Sequence, residues 1–186
     1  MNRLKTSLQA AAGVFAIIPG LAVLATNIGV PPNCSKVMFF ATIESFGIFT
    51  LMLLHFNQNM FKSFSIKAIN SLTIGSILVF AFTMFLYLYL FSEYVVEVAG
   101  SSPLFFPLWP RGELKQGLAD IGSKANLIKE WGRDDVFHVI KSSSSSMLTR
   151  TTLFFLFLYQ LIFVSLTFAF GLLALRVGEM KDNSLN

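Results

Sequence analysis

Glu44 is the residue in this sequence best placed to do chemistry where chemistry is costly. It stands alone near the middle of Val37 to Phe56, VMFFATIESFGIFTLMLLHF, twenty residues that are otherwise almost wholly apolar. A carboxylate at such a depth in lipid is expensive unless it is neutral, paired or facing water. Gln160 is the second polar group of this kind. It lies ten residues in from Arg150, and Glu44 lies eight in from Lys36, so their depths are similar. A Glu44–Gln160 hydrogen bond, within or between protomers, would satisfy both. Glu44 then has two readings: a neutral group that glues helices together, or a group that lines a water-filled path or switches an oligomer.

Other chemistry is hard to find. His55 and His138 are the only histidines and lie far apart in the chain. No HExxH, CxxC, GxSxG, P-loop or GxGxxG pattern is present, so the sequence offers no built metal, nucleophile or phosphate site. The five serines Ser142 to Ser146 have no base beside them and give no nucleophile signal. The expectation is a protein that is not an enzyme and takes no cofactor or metal. Cys34 is the single cysteine, which rules out an internal disulfide and reads as a loop residue. A further polar cluster, His55, Asn57, Gln58, Asn59, Lys62 and Lys67, has Arg176, Glu179 and Lys181 of the tail as companions. It reads either as helix ends with basic anchors or as a docking patch for a cytoplasmic protein.

The elements that must hold these residues follow from composition. Hydrophobic residues make up 54% of the 186 and charged residues 13%, with 21 Phe. A water-soluble domain carries about 25% charged residues, so much of this chain avoids water. The net charge of +4 does not imply direct nucleic-acid binding, because the bases are scattered and several flank apolar runs. Four runs are long enough to span a bilayer core of about 30 Å: Ser7 to Ile28, Val37 to Phe56, Ile69 to Phe91 and Thr151 to Leu175. The first holds small residues and a Pro19–Gly20 pair, both tolerated in lipid; a cleaved signal peptide is its rival reading. Pro31 and Pro32 break the chain before the second span. The fold class expected is an all-α integral membrane protein with four transmembrane helices and a small extracytoplasmic segment between helices three and four. Residues 1–91 carry spans one to three, 92–150 the extracytoplasmic segment, and 151–186 span four and a tail.

Orientation follows from the basic residues. Arg3, Lys5, Lys62, Lys67, Arg176 and Lys181 fall on one side, whereas the opposite short loop has only Lys36. The charge rule puts the richer side in the cytoplasm. Both termini are therefore expected there, in a bacterial inner membrane. Residues 92–150 hold seven acids and seven bases. Within them Ser102 to Pro110 is aromatic and proline-rich and cannot be a regular helix. Leu114, Leu118, Ile121, Ala125 and Ile128 then recur at steps of 4, 3, 4 and 3, predicting one amphipathic helix over 113–131. Asp134 to Lys141 is a second short element, helix or strand. Phe105, Phe106, Trp109 and Trp131 are candidates for an outer surface. It is read either as a cap over helix ends or as a surface that senses something outside.

The span order, with a large segment before span four, resembles that of tetraspanins, but the paired cysteines of that family are missing. Length, four spans and cytoplasmic ends together resemble two bacterial families. One is the four-span membrane subunit of the Kiwa phage-defence system (KwaA). The other is the immunity proteins against pore-forming colicins of the A and B type. The resemblance is one of layout over the whole chain, so no site residue carries over. The first family implies a homo-oligomeric inner-membrane sensor that reports phage attack to a cytoplasmic effector. The second implies a blocker of toxin helices inside the bilayer. An oligomeric ion or proton channel gated through Glu44 is a third reading, from that residue alone. Membrane lipid, further copies of the chain and a cytoplasmic protein are the partners expected.

Overall fold

The computed structural model describes the chain apart from Met1, Asn27, Ile28, Asn33, Ala99 and residues 183–186, and apart from the side chains of residues 2–5, 24, 62 and 177–182. The described residues form α1 (Asn2–Thr26), α2 (Lys36–Phe56), α3 (Gln58–Lys62), α4 (Ile66–Tyr94), β1 (Val95–Val98), β2 (Ser101–Phe105), α5 (Gly112–Ile121), α6 (Lys124–Trp131), α7 (Arg133–Ser143) and α8 (Ser145–Asp182). Four of these, α1, α2, α4 and α8, are long and apolar enough to cross a membrane, with mean hydropathy between 1.6 and 2.2. The sequence reads as all-α; the described residues are indeed mostly helical, with one two-stranded hairpin added that the sequence reading did not include.

The chain divides into two compact units. The first comprises Met1–Val30, Ser35–Phe85 and Leu158–Asn186. Here α1 buries Ala12, Ala16, Gly20 and Val23, at steps of 4, 4 and 3. Small side chains on such a stripe let a second helix backbone come close. Gly47 of α2 takes the place opposite: a Cβ there would overlap the carbonyl oxygen and Cα of Ala16. The start of α2 is capped by Ser35, whose Oγ accepts from the Met38 N–H, as an N-cap serine should. Within this unit Phe39 of α2 meets Tyr159 of α8 at 5.9 Å between ring centres, and Phe15 of α1 stacks on Phe170 at 5.2 Å. Leu54, Phe61, Ile69 and Leu172 close one end as a buried cluster.

Half of the apolar window of α8 is buried, against 11% of that of α4. The difference leaves α4 far more open to its surroundings than α8. Ile74, Ile77, Leu78, Phe82 and Phe85 of α4 are exposed. That is a continuous apolar surface of the kind seen where lipid or another helix is the solvent.

The second unit comprises Pro31–Cys34 and Leu86–Phe157. Its strands pair antiparallel, with Val95 opposite Phe105 and Val96 opposite Leu104. The Phe106 N–H continues the pairing by donating to the Tyr94 carbonyl at 2.9 Å. Helices α5, α6 and α7 fold over the hairpin and bury Leu104, Phe106, Leu114, Leu127, Ile128, Val136 and Ile140 together. Fully burying a Leu, Val, Ile or Phe side chain is worth about 1.5–3 kcal/mol, so this cluster is a genuine small core. The single helix expected over 113–131 is instead two. Gly122 ends α5 at φ +83 and Ser123 caps α6 through its Oγ. A glycine C-cap followed by a serine N-cap is a stop and a restart in adjacent residues. The element left open over 134–141 is helical, within α7.

Candidate functional site

Glu44 lies on α2 directly against Gly20 of α1, where a Cβ would stand 2.5 Å from the Glu44 Oε1. That oxygen is buried and accepts no hydrogen bond among the described residues. Gln160 is 6% exposed, and both its amide atoms are buried without a partner among the described residues. The Glu44–Gln160 hydrogen bond is therefore not made within one chain. Helical geometry gives the reason. Phe39 faces α8, and Glu44 is five residues further on, a net turn of about 140°. Counting residues along the helices does not fix the direction in which the two side chains leave them.

Gln160 has another neighbour in kind. Thr167 is fully buried and its Oγ1 also lacks a partner among the described residues. Seven residues are two turns, so Gln160 and Thr167 share a face of α8, about 10 Å apart. On that face they fall between Phe170, which stacks on α1, and Gly171, which sits against Leu54 of α2. They are thus turned to the seam of α1 and α2. Sequence reading missed Thr167. A hydroxyl seven residues from a buried amide within an apolar run was the available signal.

The residues of the polar patch lie close in sequence to Leu54, Phe61, Ile69 and Leu172, which form a buried cluster. His55 is exposed, with its ring 5.6 Å from that of Phe56. Asn57 is exposed and its Nδ2 caps α2 by donating to the Leu53 carbonyl at 2.9 Å. Gln58 is half-buried, Asn59 and Lys67 are exposed, and Arg176 is half-buried with no partner for its Nε among the described residues. The side chains of Arg3, Lys5, Lys62, Glu179 and Lys181 lie outside the described residues.

In the second unit the structure corrects two surface assignments. Phe105 and Phe106 are core residues, 4% and 0% exposed. The hairpin turns Phe105 onto Phe155, at 5.2 Å between ring centres, and Phe106 into the apolar cluster. Trp131 is half-buried over Gly117, where a Cβ would overlap its ring. Trp109 is exposed and meets Phe154 edge-on at 6.5 Å. His138 is exposed on α7, in a shallow groove with Glu113, Trp131, Asp135 and Val139. Among the described residues no group of three or more His, Cys, Asp or Glu side chains could hold a metal ion.

Two tethers fix the 106–111 loop. The Leu108 N–H donates to Thr151 Oγ1 at 2.9 Å, and the Arg111 N–H donates to Ser144 Oγ at 3.0 Å. The serine run is thus a capping connector, with Ser144 1% exposed. Cys34 Sγ lies 3.5 Å from Thr152 Oγ1, and burial pushes its thiol pKa up, offset in part by that hydrogen bond. Compared with protein families, curated proteins and solved structures, the chain matches none.

Proposed function

We propose that this protein is a multi-pass membrane sensor subunit, working as a homo-oligomer and signalling to a cytoplasmic protein. In this reading the second unit meets the stimulus on the extracytoplasmic side. The patch from His55 to Lys67, with Arg176, docks the effector, and the setting is phage defence in a bacterial inner membrane. The observation that carries it is α8, a single unbroken helix over Ser145–Asp182. Its first turns anchor the 106–111 loop through Thr151, and its later turns hold Leu172 in the first unit's cluster. On this reading the signal passes along α8, as helix shifts do in switching proteins. The apolar surface of α4 supports lipid as the solvent of the first unit. The basic residues on the terminal side support cytoplasmic termini. The absence of a catalytic motif in the sequence supports signalling through a partner rather than chemistry.

The test is expression with the neighbouring genes, scored by phage plating and by recovery of a soluble protein on a C-terminal tag. Loss of protection in an α5–α7 replacement that still reaches the membrane is the expected result. Protection that needs no second protein, or a C-terminal tag reachable from outside intact cells, sinks the proposal. A second reading, an ion or proton path, draws on the unpartnered Glu44 Oε1. It predicts vesicle ion flux that Glu44→Gln abolishes.

A further inference from the structure

We propose that the flank of α8 from Arg150 to Phe157, with Trp109 beside it, is a binding surface for an anionic phospholipid. The proposal rests on the membrane reading above. Arg150, Leu153, Phe154 and Phe157 recur at steps of 3, 1 and 3, which places them on one helix face. Leu153 and Phe157 are 53% and 59% exposed, and Trp109 is 54% exposed. Arg150 is exposed and makes no hydrogen bond or ion pair among the described residues. Lys124 and Arg133, by contrast, pair with Glu93 and Asp134.

The exposure of Trp109 is not slack. Its loop is tied at Leu108 to Thr151 and at Arg111 to Ser144, and its ring is seated on Phe154. An apolar ring held in the open by its neighbours is available to a partner outside the chain. The flank is polarised along the helix: a free guanidinium one turn before Phe154, the indole alongside it, and apolar side chains beyond. A phospholipid has the same order. Its phosphate suits the forked donors of arginine, its ester region suits an indole, and its upper acyl chains suit Leu153 and Phe157. Arg150 to Phe157 spans about 10 Å, the distance from a headgroup phosphate into the chains. A second copy docked by the same flank would bring a second uncompensated Arg150 beside the first. The charge therefore favours an anionic lipid.

The experiment uses the full chain carrying Trp131→Phe, so that Trp109 is the only indole. It is reconstituted into phosphatidylcholine vesicles, with or without phosphatidylglycerol, one lipid at a time brominated on the upper acyl chain. Trp109 emission should be quenched by either brominated lipid. Quenching by phosphatidylglycerol should exceed its bulk share, with a preference of about fivefold for one basic group at an anionic surface. Arg150→Gln should remove that preference and Arg150→Lys should keep it. In a Trp109→Phe chain the remaining Trp131 should show no preference. Unquenched Trp109, or equal quenching by both lipids with Arg150 intact, overturns the proposal. A chain that fails to float with vesicles after an alkaline wash overturns the membrane reading instead.

Discussion

Gly20 and Glu44 occupy each other's space: a Cβ on Gly20 would stand 2.5 Å from the Glu44 Oε1 and 2.9 Å from its Cγ. The absence of a side chain at 20 is what lets the acid lie down against α1.

A double-mutant cycle tests this contact. Gly20→Val should destabilise the chain by about 1–3 kcal/mol, the usual range for overpacking. Glu44→Ala in the same chain should recover part of that loss. Thermal unfolding in detergent reads both. Strictly additive effects would mean that the two residues do not meet, since contacting pairs couple by about 0.5–3 kcal/mol.

Gly47 should be less forgiving than Gly20. The atoms its Cβ would meet are the carbonyl oxygen and Cα of Ala16, and backbone cannot rotate aside as a side chain can. Gly171 faces only the flexible end of Leu54. Gly47→Ala should therefore lower the unfolding temperature more than Gly20→Ala or Gly171→Ala. The reverse order would refute the close α1–α2 approach.

Cys34 gives a pH dependence with a definite sign. Burial raises its folded-state pKa above that of the unfolded chain, and the Thr152 hydrogen bond offsets this in part. The folded state therefore holds the thiol proton to higher pH than the unfolded state does. Its contribution to stability is complete below the unfolded pKa and is lost as pH rises towards the folded one. Cys34→Ser should flatten the alkaline limb of a stability–pH curve. Maleimide labelling of the native chain at neutral pH should be slower than that of the unfolded chain, and equal rates would count against burial.

The four long helices were legible because apolar runs of bilayer length have few other homes. Their ends were not. The fourth run was read from Thr151, whereas α8 begins at Ser145, because serines and Thr149 are helical here for tertiary reasons that hydropathy does not see. The break at Gly122 was written in the sequence as Gly-Ser. A period of 3.6 continued across it and hid the stop. The hairpin over 95–105 was missed, although Val95, Val96 and Val98 are good strand formers, and with it went the burial of Phe105 and Phe106. Glu44 and Gln160 show the same division. Depth along a helix can be counted from sequence. The direction in which a side chain leaves the helix depends on how neighbours pack, and that needs the fold.

If the proposed signalling role holds, Gln160 and Thr167 are where stability and function should pull apart. Both are buried, and neither the Gln160 amide nor the Thr167 hydroxyl has a partner among the described residues. An unsatisfied buried polar group costs about 1–3 kcal/mol, whereas an apolar replacement of the same shape can be neutral or better. Gln160→Leu and Thr167→Val should therefore leave the unfolding temperature unchanged or raise it. If the two groups served only packing, the double replacement would also leave signalling intact. If the seam of α1, α2 and α8 shifts during signalling, the polar groups find partners in the second state. The double variant would then be more stable and silent. Stability and phage plating measured on the same variants separate these outcomes. A marked loss of stability would show that both groups already have partners in the membrane-embedded protein.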